Sequence, residues 1–369
     1  MLALLALTVW LYLYFAHGRF WVSAPELPAA VPPQCPPVDI IVPARDEAAT
    51  IAPVIASLLA QDYAGAFHVL LVDDDSTDDT AVRAGTAANL RILRGQPKPA
   101  GWSGKLWALH QGVAASSAPW LLFTDADIVH DPRHLGALMA GAQQYGLSLL
   151  SEMVRLNCSS LAERALVPAF VYFFQMLYPF ARVNDPHSGV AAAAGGTILI
   201  RRAILERSGG IEAIRGALID DVALAVLVKP VAPIFLGHSA FAASIRPYPH
   251  FADLWQMIAR TAFTQLRYSV LLLAGTIAAL TLVWLVPVAC MVGGRGLGRG
   301  CGVLAFTLAA LSYQPTLRRY RRSPLWALGL PLIALFYMAA TIDSARSYWF
   351  GRGSRWKSRA YERAPDQRR

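Results

Sequence analysis

Trp120-Leu121-Leu122-Phe123-Thr124-Asp125-Ala126-Asp127 is the stretch on which the reading of this chain turns. An apolar run ending in two aspartates one residue apart reads as a buried strand that delivers two carboxylates at its carboxyl end. Residues two apart in a strand point to one side, so Asp125 and Asp127 are expected to face one hard cation, which takes oxygen ligands and bridges to phosphates. A D-x-D alone is as compatible with a strand followed by a solvated acidic turn, so its weight depends on what surrounds it.

Two earlier stretches repeat the design. Residues 38–43 (VDIIVP) run into Arg45-Asp46-Glu47, and residues 67–72 (FHVLLV) run into Asp73-Asp74-Asp75. Helical patterns at 47–61 and 78–88 separate them, and a further strand is expected at 89–94. Strand–helix–strand order implies a parallel sheet with right-handed crossovers, which brings all the acidic ends to one edge. Ligands of open α/β sheets bind at that edge.

Several nucleotide and metal readings fail on residues. Gly104-Lys105 invites a phosphate loop, but Pro99 stands at the first glycine and Leu106 where a hydroxyl is required. No G-x-G-x-x-G follows a strand. A calcium loop begun at Asp73 would have Asp78 where the turn needs glycine and Ala84 where it needs glutamate. A phosphatase with Asp125 as nucleophile would usually show threonine after Asp127, where this chain has Ile128-Val129. The cysteines, Cys35, Cys158, Cys290 and Cys301, lack metal-site spacing.

Taken together, residues 41–47 (IVPARDE), 72–78 (VDDDSTD), 104–112 (GKLWALHQG) and Asp125-Ala126-Asp127 resemble, in order and spacing, the family 2 glycosyltransferases of GT-A fold. Residues 191–197 (AAAAGGT), 218–221 (LIDD) and 260–269 (RTAFTQLRYS) resemble the hopanoid-biosynthesis-associated subgroup. The resemblance implies an α/β GT-A catalytic domain at 38–250, with a nucleotide-binding half (38–130) and an acceptor half (131–250). It implies a nucleoside diphosphate sugar donor, most often a uridine one, with Pro43, Asp46, Glu47, Asp74, Asp75, Lys105 and Asp125 around it. Asp127, with Asp125, would hold Mg²⁺ or Mn²⁺. Asp221 would be the general base and Asp220 its neighbour, although acids there also suit the N-terminal end of a helix dipole. Gly195 and Gly196 front a strand where a backbone can approach a sugar, and Arg260 could reach a diphosphate or grip lipid headgroups. The processive signature Q-x-x-R-W has no match near Gln256 or Gln265, which weighs against a polymer synthase.

The remainder of the chain is apolar and basic. Lys and Arg number 33 against 24 acids, and the excess gathers at 318–322 and 346–369 beside apolar segments, which favours an anionic membrane surface over nucleic acid. Residues 1–22 are expected to be a transmembrane anchor, with Arg19 placing the next domain on the cytoplasmic side, and 23–37 a Pro-Ala linker. An amphipathic interfacial helix is expected at 251–269, a transmembrane region at 270–345 with a span at 270–292 and, at 302–317 and 325–341, two segments that either span or re-enter, and a basic tail at 346–369. The apolar run 165–181 poses a topological problem, since one crossing there would separate Asp125 and Asp127 from Asp220 and Asp221. It is therefore expected in the membrane interface, re-entrant, or packed on the catalytic domain. The expectation is an inverting glycosyltransferase of the cell inner membrane, multi-pass with a cytoplasmic catalytic domain, moving sugar to a membrane lipid such as a hopanoid. A membrane-bound nucleotidyl- or sugar-phosphate transferase and an inactive scaffold of hopanoid assembly are the alternatives.

Overall fold

A computed structural model describes residues 1–350, 355–356 and 359–360. The strands are β1 (Val38–Ala44), β2 (Phe67–Asp73), β3 (Leu90–Arg94), β4 (Trp120–Thr124), β5 (Ile128–His130), β6 (Leu149–Arg155), β7 (Thr197–Arg201) and β8 (Ile234–Ser244). The helices are α1 (Leu2–Phe15), α2 (Ile51–Leu59), α3 (Thr80–Arg83), α4 (Gly104–Ala114), α5 (His134–Gln144), α6 (Leu161–Leu177), α7 (Phe180–Asn184), α8 (Arg202–Arg207), α9 (Asp220–Val228), α10 (Phe251–Gln265), α11 (Val270–Leu280), α12 (Val286–Gly293), α13 (Gly296–Arg319) and α14 (Leu330–Trp349). The chain divides into two units, a sheet unit of Ala24–Asn157 and Val183–Arg246 and a helical unit of Met1–Ser23, Cys158–Arg182 and 247–350.

These eight strands form one sheet in the order β3-β2-β1-β4-β7-β6-β8-β5, and Arg355–Trp356 and Arg359–Ala360 pair as a separate two-stranded sheet. The first four run parallel, as strand–helix alternation requires. Beyond β4 the sheet turns mixed: β7 is antiparallel to both β4 and β6, and β5 is antiparallel to β8. The all-parallel expectation therefore holds for β1 to β4 alone. Strand β1 is buried along its whole length, which is why it reads as a continuous apolar run rather than an alternating one. The helical patterns at 47–61 and 78–88 shrink to α2 and to the four residues of α3, because the acidic segments before them are spent on turns.

Strand β4 stops at Thr124, and Asp125 to Asp127 form a turn. The two-residue period of a strand thus does not govern them, a correction with consequences at the site.

The helical unit differs from expectation in three places. Helix α1 has 14 residues, about 21 Å at 1.5 Å per residue, short of the ~30 Å apolar thickness of a bilayer, so the expected anchor at 1–22 is a shorter helix. The apolar run 165–181, inside the expected 38–250 domain, becomes α6, a member of this unit whose capping box Ser160–Glu163 starts it. Its aromatics are interior: Tyr172 is fully buried and its hydroxyl bonds Ser312 at 2.6 Å, while Phe173 packs edge-on against Trp284 and Tyr337. Residues 302–317 belong to α13, whose buried residues include a row of small side chains, Ala305, Ala309, Ser312 and Thr316, that admits close neighbours, beside the larger Leu308, Tyr313 and Leu317.

Among the described residues two helices are long and apolar enough to cross a membrane, Val270–Gly293 and Pro324–Trp349. Only 17% and 28% of their apolar windows are buried, whereas a core helix of a water-soluble protein would be mostly covered. A π-turn at Thr281–Leu285 joins α11 to α12 within the first. Most of the expected basic tail, 346–369, lies outside the described residues.

Candidate active site

A cleft in the sheet unit, about 320 Å³ with its open mouth, is lined by Pro43, Lys105, Asp125, Gly195, Asp220 and Asp221 among others. Six residues singled out in the sequence thus share one cavity. They arrive from five places along the chain. Pro43 lies at the penultimate position of the buried strand β1, Asp125 follows β4, Gly195 precedes β7, and the aspartate pair opens α9.

Lys105 is the hub. It lies in the first turn of α4, whose N-cap Ser103 accepts a hydrogen bond from the Leu106 N–H at 3.3 Å and donates its own N–H to the Arg215 carbonyl at 2.7 Å. Its Nζ reaches Asp125 Oδ1 at 2.8 Å and Asp220 Oδ2 at 3.0 Å. One ammonium therefore joins the D-x-D turn to the acids of α9. Burial works against its charge, but Asp125 and Asp220 outweigh it and hold the Lys105 pKa well above the ordinary lysine range.

Asp221 is anchored by backbone. Its Oδ2 accepts from the Gly195 N–H at 2.8 Å and its Oδ1 from the Val222 N–H at 2.8 Å. A Cβ on Gly195 would stand 3.3 Å from both Asp221 Oδ2 and Lys105 Nζ, so the absent side chain is what lets the carboxylate approach this strand. Helix-terminal N–H groups should lower the pKa of a first-turn acid. Here desolvation, followed by the charge of Asp220, outweighs them and the Lys105 ammonium, and pushes Asp221 up to about 7. Burial likewise raises Asp125, with Lys105 pulling the other way and Asp127 adding to the rise.

Asp127 points elsewhere. Its Oδ2 meets Arg246 Nε at 2.7 Å and accepts from the Ser244 hydroxyl at 3.3 Å, and the same guanidinium reaches Glu47 Oε1 at 2.6 Å. Asp125 and Asp127 thus have separate cationic partners. Sequence reasoning missed Arg246, which lies 119 positions from Asp127 and in no motif. Its one signal is that it follows β8, a strand that the 3.6-periodic and acid-ended patterns did not flag.

The remaining nucleotide-side residues form a neighbouring edge outside the cleft. Asp46 and Asp75 both adopt left-handed backbone, with φ of 51° and 57°, a conformation that aspartate tolerates better than most side chains. Asp46 Oδ1 accepts from the Thr77 N–H at 2.8 Å. Asp74 is 1% exposed, and Arg45 bonds to its carbonyl and lies 3.7 Å from its carboxylate. Gly196 is pressed against Val154, where a Cβ would come within 3.0 Å of two methyl groups, so packing accounts for that glycine. Arg260 belongs to the helical unit, on α10. Among the described residues no group of three or more His, Cys, Asp and Glu converges on one point as a full metal shell would.

Residues 39–209 match the family described as Glycosyl transferase family 2. The chain is similar to glucosyl-3-phosphoglycerate synthase of Mycobacterium tuberculosis (strain CDC 1551 / Oshkosh), 28% identical over 177 residues, 46% of this chain and 47% of that protein. It is also similar to the succinoglycan biosynthesis protein ExoU of Rhizobium meliloti (strain 1021), 30% identical over 182 residues, 47% of this chain and 51% of that protein. The chain spans about half the length of the curated relatives it matches. Among solved structures, the mannosyltransferase PcManGT from Pyrobaculum calidifontis, in complex with GDP-Man and Mn²⁺, aligns with a TM-score of 0.54 at 17% identity, over 95% of this chain and 99% of that one. Identity this low bears on the fold alone.

Proposed function

From the premise that residues 39–209 are a family 2 glycosyltransferase domain, we propose that the protein is an inverting, membrane-associated glycosyltransferase that moves a sugar from a nucleoside diphosphate sugar to a lipid hydroxyl. The observation that carries this reading is Asp221, whose pKa, pushed up to about 7, suits a general base near neutrality and which faces the same cleft as Lys105 and Asp125. The acceptor oxygen attacks the anomeric carbon, the bond from that carbon to the diphosphate oxygen breaks, and the hydroxyl proton passes to the Asp221 carboxylate. Each Asp221 oxygen accepts one backbone N–H and keeps a lone pair for that proton.

Asp125 and Asp127 are hard oxygen donors that point to different partners, Lys105 and Arg246, so each would offer a single carboxylate to a Mg²⁺-type ion, which commonly takes one or two carboxylates and completes its shell with substrate phosphate oxygens and water. A divalent cation bound there, Mg²⁺ or Mn²⁺, would offset the charge of the departing diphosphate. At Asp127 it would contend with the Arg246 guanidinium. Glu47, Asp46, Asp74 and Asp75 lie at the adjoining edge, and in this reading the nucleoside is held from there, with Pro43 at the floor. The solved Pyrobaculum complex contains GDP-Man and Mn²⁺, in keeping with both assignments.

The lipid acceptor is inferred from the helical unit, whose two long apolar helices leave most of their surface uncovered. A soluble acceptor would give no reason for that surface in the same chain as a transferase domain. The resemblance of 191–197, 218–221 and 260–269 to the hopanoid-associated subgroup favours a hopanoid alcohol, and Arg260 on the amphipathic α10 is assigned to lipid headgroups. Incubating the purified full chain with a panel of nucleotide sugars, Mn²⁺ and membrane lipid extract, then following free nucleoside diphosphate and glycolipid, tests the reading. Diphosphate release that lipid extract does not stimulate would overturn the acceptor class.

A further inference from the structure

Behind the cleft the sheet unit holds a chain of buried polar groups that the transfer reaction does not use. Glu152 Oε2 lies 2.8 Å from His134 Nε2, His134 Nδ1 lies 2.7 Å from His130 Nδ1, and His130 Nε2 lies 2.9 Å from the Thr124 hydroxyl. The Thr124 hydroxyl in turn donates to the Gly196 carbonyl at 2.9 Å. His134 and Glu152 are 0% exposed and His130 5%. Thr124 directly precedes Asp125, and Gly196 directly follows the residue that binds Asp221. The chain therefore ends beside the Thr124–Thr197 end of the β4–β7 ladder, next to the residue that holds Asp221, and is reinforced by the Thr197 hydroxyl, which donates to the same carbonyl at 2.8 Å.

We propose that Thr124, His130, His134 and Glu152 are positioning residues forming a one-way hydrogen-bond relay, in which a proton shared by Glu152 and His134 fixes how Thr124 grips the Gly195–Gly196 backbone. The direction follows from counting hydrogens. A carbonyl only accepts, so Thr124 spends its single hydrogen on Gly196; two oxygens 2.9 Å apart with none between them would repel. The Thr124 oxygen must then accept from His130 Nε2–H. A neutral imidazole carries one hydrogen, so His130 Nδ1 is bare and accepts from His134 Nδ1–H. The close contact of His134 Nε2 with Glu152 then requires one further hydrogen, carried on either atom. Burial, with His134 beside it, drives the His130 pKa well below the ordinary range, in keeping with a neutral relay. The second oxygen of Glu152 has no hydrogen-bond partner among the described residues, so the whole pull of the carboxyl group bears on His134. The surrounding groups leave the direction alone: the Ser57 hydroxyl accepts from the His130 N–H, Phe241 flanks His134, and Asp131 is engaged by Arg133 at 2.8 Å.

The catalytic consequence rests on the proposed transferase reading; the hydrogen count does not, and the test separates them. Nitrogen-15 spectra of the imidazoles in the full-length protein should show His130 protonated at Nε2 and bare at Nδ1, with His134 protonated at Nδ1. A hydrogen on His130 Nδ1 overturns the relay whether or not the protein transfers sugar. In kinetics, Thr124→Val should lower kcat on the order of tenfold, as loss of one buried hydrogen bond does, with the donor KM held within about twofold. Glu152→Gln supplies an amide N–H to His134 Nε2 and so preserves the direction without the extra proton, and should keep kcat within about twofold, whereas Glu152→Leu should match Thr124→Val. Glu152→Gln as damaging as Glu152→Leu, or a Thr124→Val that leaves kcat intact, would refute the proposal. Should Glu152→Leu fail to fold, the Thr124→Val and Glu152→Gln measurements and the spectra still decide it.

Discussion

Asp127 and Asp221 are the same side chain in the same sheet unit, kept in opposite company. Asp127 meets a guanidinium, Arg246, which it shares with Glu47. Asp221 meets two backbone N–H groups, and desolvation beside Asp220 lifts its pKa to about 7. Asp127 is paired with a guanidinium and offers its oxygens to a cation; Asp221, desolvated beside Asp220 and held by backbone dipoles that the Lys105 charge only partly reinforces, is poised to take a proton. Lys105 lies between the two sets, touching Asp125 on one side and Asp220 on the other. The contrast teaches that the sequence motif, acids at element ends, does not assign the job. The partner does.

The contrast breaks most visibly if the acids are neutralised one at a time. Asp221→Asn should cut turnover by at least ~10²-fold while leaving calorimetric donor binding intact, and Asp127→Asn should instead remove the Mn²⁺-dependent part of donor binding. Equal loss of donor affinity in both would show that the two acids share one role. The next largest effect concerns Arg246. If it contends for Asp127, Arg246→Gln should tighten binding of Mn²⁺ alone by about tenfold, read by electron paramagnetic resonance, because an ion-paired hydrogen bond no longer has to be broken.

The pH profile sharpens the other side. A base works unprotonated, so kcat should rise as pH climbs through about 7 and level off above it. Asp220→Asn removes the neighbouring negative charge and should move that acid limb to lower pH; an unmoved limb would mean that another group sets it. The smallest effect is expected at the hub. Ser103→Ala removes the cap of the helix carrying Lys105 and should lower stability by about 1 kcal/mol in thermal melts, with turnover nearly unchanged.

Much of this site could be read from residues because parallel strand–helix order forces the ends of β1, β2 and β4 to one edge, and Pro43, Lys105, Asp125, Asp220 and Asp221 did gather near it. What could not be read depends on long-range pairing. Arg246 arrives through β8, which pairs with β5 and β6 across large sequence separations, and no local pattern announces it. The relay behind the cleft is hidden for the same reason: His130 and His134 lie close in sequence, but Glu152 and Gly196 come from strands whose neighbours only the fold determines. The turn at Asp125–Asp127 was misread as strand because an apolar run does not say at which residue its ladder stops. Helix α6 was misplaced because an apolar run of its length suits an interface, a bilayer and a buried helix alike.

The division of the chain has a consequence for how the molecule is made. Helix α6 emerges from the ribosome between β6 and β7, yet its interior partners Ser312 and Tyr337 belong to α13 and α14, which follow much later in the chain. At ~5–20 residues per second, the wait between them is roughly ten to thirty seconds. During that interval α6 has its N-terminal neighbours, with Phe20 packed on Tyr172 and the Phe20 carbonyl accepting from Gln175, but not the later helices that complete its cover. Synthesis thus imposes a timed vulnerability on α6, and whatever shelters it then, bilayer or chaperone, takes part in folding the helical unit as surely as any residue of its own.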